Sequence, residues 1–209
     1  MERQVEDYIF EHLGLERDVL AELYRYTNLN VLYPGMISGH EQGRLLSMLS
    51  HMAQPELILE IGTYTGYSTI CLVEGMKAGG RLHTIEKDDE KAEVASIFFE
   101  KAGIADRVVL HVGDALEIIP KIGTIFDMVF IDAAKKQYLE YYQLVFNRVK
   151  PGGYILIDNI LWYGKVTDPH VQDETTLKLR RFNNFVRKDT RIERAIVQNR
   201  DGMYILRKK

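Results

Sequence analysis

Leu57-Ile58-Leu59-Glu60-Ile61-Gly62-Thr63-Tyr64-Thr65-Gly66-Tyr67-Ser68 begins as an apolar run, turns through two glycines and enters a helical pattern. The run is too short for a helix and reads as a buried strand. Glycines at such a turn permit a tight reversal and close approach of a ligand to the backbone. The spacing is Gly-x-x-x-Gly, and Tyr64 stands where a dinucleotide site needs a small residue for its pyrophosphate. That disfavours NAD and FAD and suits a nucleoside ligand without phosphates. A plain strand–helix turn is the other reading of this stretch.

Strands and helices alternate downstream. Residues 67–78 read as a helix stopped by Gly79-Gly80, 81–85 as a strand, and 88–102 as a helix ending at Gly103. A strand over 107–112 and a short helix ending near Pro120 follow. Next come a strand over 126–131, a helix over 136–148, a turn at Lys150-Pro151-Gly152-Gly153 and a strand over 154–157. A long loop leads to a helix at about 173–188. Residues 191–198 and 203–207, around Asn199-Arg200-Asp201-Gly202, read as a hairpin. Five βα units and a hairpin predict a mostly parallel α/β sheet with helices on both faces.

Upstream the pattern is helical. Val5, Ile9 and Leu13 share one helical face, and a second helix covers about 16–27. Pro34, Gly35 and Gly39 mark a loop. Ser38 with Glu41 forms a capping-box pattern that starts a helix through about Met52. The chain reads as one domain over 1–209, a helical portion at 1–55 and an α/β core at 56–209, with no linker or repeat.

Several acids sit where strands end. Ligands of open α/β sheets bind beyond the carboxyl ends of the strands. Glu86 ends the second strand, where an acid accepts from ribose hydroxyls; its other reading is a solvated member of Glu86-Lys87-Asp88-Asp89-Glu90. Asp114, in Gly113-Asp114-Ala115, either accepts from a base amino group or caps the short helix. Phe126-Asp127-Met128-Val129-Phe130-Ile131-Asp132-Ala133-Ala134-Lys135 and Gly153-Tyr154-Ile155-Leu156-Ile157-Asp158-Asn159 both end an apolar run in Asp. On neighbouring strands, Asp132, Asp158 and Asn159 would converge. Two carboxylates and an amide oxygen form a hard-oxygen set for Mg²⁺ or Ca²⁺ rather than Zn²⁺. Lys135 lies one turn beyond Asp132 and reaches the same rim. A single Asp of this kind would read as a helix cap; the Asp-Asn doublet and the lysine favour the metal.

Composition narrows the remaining classes. Hydrophobic residues are 46% of 209, which fits a globular protein and argues against disorder. Lys plus Arg is 27 against 30 for Asp plus Glu, net −3, so no global basic field addresses nucleic acid. The single Cys71 forms no intrachain disulfide and reads as core. Six scattered His residues lack zinc spacing. No apolar run spans a bilayer, and Met1-Glu2-Arg3-Gln4 is no signal peptide, so a cytoplasmic location is the default expectation.

These motifs together resemble the metal-dependent S-adenosylmethionine (SAM) O-methyltransferases, the catechol and caffeoyl-CoA O-methyltransferase family. The resemblance rests on Glu60–Ser68, Thr84-Ile85-Glu86, Gly113–Ala115, Phe130–Lys135 and Asp158–Trp162, and covers roughly residues 30 to 209. It implies a seven-stranded Rossmann-like sheet with an antiparallel last strand. It implies that Met36, Ile37, Ser38 and Glu60 flank the methionine end of SAM. Gly62 borders the cofactor, Ser68 contacts its amino acid, Glu86 holds the ribose, and Asp114 and Ala115 border the adenine. Asp132, Asp158 and Asn159 would bind Mg²⁺ or another divalent cation such as Ca²⁺ or Mn²⁺, with Asp132 also near the cofactor. Lys135 matches the family's catalytic base, and Trp162 falls where plant caffeoyl-CoA enzymes place a substrate-contacting aromatic residue. A homodimer is implied as well. Ala133-Ala134 departs from the His-Trp of the catechol enzyme, which weakens transfer of that enzyme's substrate details.

Two acceptors stay open. One is a small catechol-like or caffeoyl-type phenol. The other is 5-hydroxyuridine at the tRNA wobble position, with Lys178, Arg180, Arg181, Arg187, Lys188, Arg191, Arg194, Arg207, Lys208 and Lys209 toward phosphates; their bland reading is a solvated face. A SAM-binding module without activity is the non-enzymatic reading, and the complete metal set with Lys135 argues against it.

Overall fold

Three helices precede the first strand in the computed structural model, which describes residues 2–209: α1 (Glu2–His12), α2 (Asp18–Asn30) and α3 (Gly39–Ala53). Met1, part of the opening tetrapeptide, lies outside the described residues. The alternating region follows as β1 (Leu57–Ile61), α4 (Tyr67–Glu74), β2 (Arg81–Glu86), α5 (Asp89–Ala102), β3 (Val108–Val112) and α6 (Ala115–Ile118). It continues through β4 (Phe126–Ile131), α7 (Tyr138–Phe146), β5 (Val149–Ile157), α8 (Glu174–Lys188), β6 (Ile192–Val197) and β7 (Met203–Lys208). No helix of the described residues is long and apolar enough to cross a membrane.

The strands form one seven-stranded sheet in the order β3-β2-β1-β4-β5-β7-β6. The first five are parallel, and β7 runs antiparallel to both of its neighbours. The order reverses direction at β1 and β4, which is where an open sheet leaves a crevice for a ligand. The period-2 alternation of a strand divides the core in two. Val129 and Ile131 of β4 pack with Tyr138, Tyr142 and Phe182 from α7 and α8. Met128 and Phe130 of the same strand pack with Leu46, Tyr67 and Phe98 from α3, α4 and α5. Each such fully buried large side chain contributes about 1.5–3 kcal/mol relative to exposure. Cys71 is buried in the second of these layers.

Helix starts follow local chemistry where a side chain can reach. Asp88 accepts from the Lys91 amide at the start of α5, and Asp173 from the Thr176 amide at the start of α8. The expected box at Ser38 does not form. Ser38 has helical backbone angles (φ −60°, ψ −42°) and makes no side-chain cap bond, because a cap needs an extended residue at that point.

Two other expectations change. β5 begins at Val149, and the turn read over 150–153 lies inside it as an irregularity of the ladder with β4. A Cβ on Gly153 would stand 2.8 Å from the Asp127 carbonyl oxygen, so the chain bulges there without a side chain. On α1, the face expected to be buried is open: Val5 and Ile9 are 53% and 40% exposed.

Candidate active site

The rim of the sheet is held by backbone. Beyond β4 and β5, Asp132 N donates to the Ile61 carbonyl (2.9 Å) and Asp158 N to the Ile131 carbonyl (3.0 Å). The ladder thus runs one residue past each strand and brings both aspartates to one edge. Gly62, at φ +100°, belongs to this lock: a Cβ there would lie 2.1 Å from the Asp132 carbonyl oxygen. No other residue permits that approach of β1 to β4.

Asp132 Oδ1 accepts from Lys135 Nζ at 2.6 Å, one turn along, as the spacing predicts. Lys135 also stands 5.4 Å from the centre of the Tyr138 ring. Asp158 is 2% exposed. Its Oδ2 accepts from Gln42 Nε2 at 2.7 Å, while Oδ1 is buried without a hydrogen-bond partner. Asn159 beside it adopts a left-handed backbone (φ +54°), which Asn tolerates better than most residues.

Burial, reinforced by the Asp132 charge, pushes the Asp158 carboxyl well above the usual carboxylate range. Burial pulls Lys135 down, but Tyr138 and Asp132 outweigh it and hold the ammonium above its ordinary value. An orphaned acceptor beside a second carboxylate calls for a positive partner. Among the described residues no three His, Cys, Asp or Glu side chains group as a metal site. A cation in this corner therefore needs the Asn159 amide oxygen as well as Asp132 and Asp158, and that all-oxygen set fits a hard divalent ion.

These residues line a cavity of about 1200 Å³. Met36, Ile37, Ser38, Gly62, Tyr64 and Ser68 form one end. Asp132, Lys135, Asp158 and Asn159 form the floor, Trp162, Tyr163, Lys178 and Asp201 the other end, and Arg200 lies against Ile37 and Ser38. Glu60, Glu86, Asp114 and Ala115 stand outside the lining. Glu86 Oε2 accepts from the Tyr64 amide (2.7 Å), and Oε1 accepts from the Lys87 and Asp88 amides (2.9 and 3.0 Å). A carboxylate offers about four acceptor sites, so one remains for a hydroxyl. Asp114 caps α6 through the Leu116 amide (2.9 Å) and pairs with Lys87 (3.0 Å); Ala115 is buried.

Glu60 is fully buried under hydroxyls. It accepts from Ser68 Oγ and Thr84 Oγ1, both at 2.6 Å, and from Thr69 Oγ1. Burial raises its carboxyl to about 7, against the pull of those hydroxyls. The folded chain therefore holds a proton that the unfolded chain releases near 4.5. Its contribution to stability is full below that pH and is lost as pH rises through about 7. Thermal unfolding of ligand-free protein should show it. Between pH 4.5 and 7.5, Glu60→Gln should gain on the wild type by about 5–10 °C, since one pKa unit is about 1.4 kcal/mol and each kcal/mol moves a chain of this size about 2–4 °C. Parallel curves would assign the proton elsewhere.

The wall carrying Trp162 is held from below. Trp162, Tyr163 and Gly164 are consecutive left-handed residues (φ +51°, +55° and +75°), an arrangement that costs about 1–3 kcal/mol for each non-glycine. Arg180 of α8 grips the same loop. Its Nε donates to the Val166 carbonyl (3.0 Å), Nη1 to Val171 (2.8 Å) and Nη2 to Lys165 (2.8 Å) and Asp168. Asp201 Oδ1 accepts from the Tyr163 amide at 2.6 Å.

The structure brings Asp132, Lys135, Asp158, Asn159, Trp162, Met36, Ile37, Ser38, Gly62 and Ser68 to one cavity. Sequence reading missed Gln42, Arg200 and Asp201, and placed Arg180 only in the basic tail, whereas it holds the Lys165–Val171 loop. The Asn199–Gly202 turn was visible as a turn, but nothing local to Gln42 signals its contact with a residue so distant in the chain.

Comparison with known proteins bears on what this cavity takes. A family model described as O-methyltransferase matches residues 11–209. The catechol O-methyltransferase of Niastella koreensis is 35% identical over 200 residues, 93% of this chain and 89% of that protein. The caffeoyl-CoA O-methyltransferase of Populus kitakamiensis is 32% identical over 213 residues, 96% of this chain and 88% of its own. Among solved structures, the O-methyltransferase TomG of Streptomyces achromogenes in complex with SAM superposes with a TM-score of 0.92. It shares 32% identity and covers 99% of this chain and 96% of that one. An O-methyltransferase from Bacillus cereus in complex with SAH also reaches 0.92, at 30% identity and 99% and 97% coverage.

Proposed function

This chain belongs to the O-methyltransferase family and is a SAM-dependent O-methyltransferase of the catechol and caffeoyl-CoA type; we propose that it methylates a hydroxyl of a small catechol-like or caffeoyl-type phenol with the help of a divalent cation. The observation that carries the reading is the unpartnered Oδ1 of Asp158 beside Asp132 and Asn159, with Lys135 on the same floor.

A phenol is a weak nucleophile at neutral pH, with a pKa of about 10 by analogy with Tyr. Asp132, Asp158 and Asn159 would hold a divalent cation, whose positive charge would favour the phenolate over the phenol. Lys135 takes the hydroxyl proton at Nζ. A cation on Asp132 would weaken one of the contacts that hold Lys135 protonated, and burial acts in the direction of the neutral amine it needs to be. The acceptor oxygen then forms its bond to the methyl carbon as the carbon–sulfur bond breaks, leaving a methyl ether and S-adenosylhomocysteine. Trp162 and Tyr163 wall the aromatic ring. Met36, Ile37, Ser38 and Gly62 border the methionine end of SAM, and Glu86 has an acceptor site for the ribose. The rest is alignment of two bound reactants.

Six of the ten basic residues read toward tRNA are engaged within the fold, and only Arg181, Arg187, Lys188 and Arg194 are left as an exposed basic set for that reading. Arg180, Lys208 and Lys209 donate to backbone carbonyls, and Lys178, Arg191 and Arg207 pair with Glu174, Asp189 and Glu193. The exposed Tyr8, Phe10, Leu29 and Leu32 on and after the first helices offer a homodimer apolar surface to bury.

Methyl transfer from labelled SAM, with a catechol and caffeoyl ester panel set against tRNA lacking the wobble methoxy group, tests the acceptor. Turnover is expected on vicinal phenols. Label in tRNA with none in the phenols would overturn this reading.

A further inference from the structure

A chain of polar side chains runs from the exposed Arg200 in the β6–β7 turn through buried Gln42 to buried Asp158 on the floor of the cavity. Arg200 sits in that turn at φ +48°, outside the region most non-glycine residues adopt. Its Nη1 donates to the carbonyl oxygens of Ile37 (3.2 Å) and Ser38, and to Gln42 Oε1 at 3.3 Å. Gln42 of α3 is 1% exposed, and its Nε2 donates to Asp158 Oδ2 at 2.7 Å. The orientation of this amide follows from chemistry. A guanidinium only donates and a carboxylate only accepts, so the oxygen faces Arg200 and the nitrogen faces Asp158. The result is a carboxylate with one oxygen fixed and the other, Oδ1, bare and buried.

We propose that Gln42, itself anchored by Arg200, is a positioning residue for the divalent-cation site: it pins Oδ2 of Asp158 and so presents Oδ1 to the ion. The proposal rests on the reading of Asp158 as a cation ligand. Free to turn about its side-chain bond, Asp158 would have to be ordered when the ion arrives. Held by Gln42, it is ordered beforehand. The Tyr138 hydroxyl donates to the Asp158 carbonyl (3.0 Å) and fixes the backbone, leaving the side-chain orientation to Gln42. Arg200 also touches the Ile37–Ser38 segment, so one guanidinium braces both the cofactor end and the ion floor of the cavity.

The test is Mn²⁺ binding to the full chain, read from the free-ion signal by electron paramagnetic resonance without substrate turnover. Wild type, Gln42→Met, Arg200→Met and Asp158→Asn are compared, with SAH affinity measured alongside. Gln42→Met is expected to weaken Mn²⁺ by about 10–100-fold, the usual effect of removing a partner that orients a metal ligand. Its SAH affinity should be unchanged. Arg200→Met should show a smaller loss, and it carries the test if Gln42→Met does not fold. A lower melting temperature with wild-type Mn²⁺ affinity in either folded variant would reduce the chain to packing and overturn the proposal. If Asp158→Asn abolishes binding while Gln42→Met does not, this inference alone fails. If the wild type binds no Mn²⁺, the reading of the floor as a cation site fails with it.

Discussion

Lys135→Met is expected to lower kcat by about 10²–10⁴-fold, the range for a positioned proton transfer, while SAM affinity stays near that of the wild type. The methionine keeps the unbranched apolar stem of the side chain and removes the amine. The residues bordering the cofactor end lie elsewhere on the cavity wall, so binding should survive. Lys135 is ion-paired to Asp132 at 2.6 Å, and Tyr138 together with that pair holds its ammonium above the ordinary value. A purely electrostatic lysine, present only to neutralise the acidic floor, behaves differently. Its loss would change cation affinity and leave the chemical step intact. Single-turnover rates across a Mg²⁺ titration separate the two, and a wild-type rate at saturating Mg²⁺ would remove Lys135 from the chemistry.

Exhaustive chelation should take methyl transfer to background, with recovery on adding Mg²⁺. Asp158→Ala should remain at background at Mg²⁺ concentrations that saturate the wild type. The reason is the burial of Asp158: Gln42, the Asn159 amide and Lys135 offset its charge only in part, Oδ1 has no partner, and a cation would supply the rest. Asp158→Ala deletes both the ligand and the acceptor of the Gln42 amide. Undiminished turnover after chelation, or in Asp158→Ala, would sink the proposed chemistry.

How far the sequence reaches can be judged residue by residue. Short apolar runs ended by Gly or Asp marked the strands, because a buried strand needs both faces apolar and its following turn needs a small or capping residue. Asp132 and Asp158 were legible as a pair because parallel neighbours bring equivalent strand ends together. β5 was read late, since Lys150-Pro151-Gly152-Gly153 carries the residues of a turn. In the fold those residues bulge against Asp127 instead. The Ser38–Glu41 pattern was misleading: Ser38 has helical angles between an extended Ile37 and a left-handed Gly39, and its carbonyl, not its hydroxyl, is engaged by Arg200. Gln42 was illegible because its bond to Asp158 exists only when α3 meets the end of β5.

Arg180 has one more implication, for how acceptor choice could drift. Every bond it makes to the loop ends on a main-chain oxygen, those of Lys165, Val166, Asp168 and Val171. The grip is indifferent to which side chains the loop carries. Trp162 and Tyr163 can therefore be exchanged for residues of other size or polarity while the loop keeps its course, provided they tolerate the left-handed backbone. Libraries randomised at these two positions on an intact Arg180 should yield folded enzymes with altered phenol preference, whereas the same libraries on Arg180→Met should lose the preference itself.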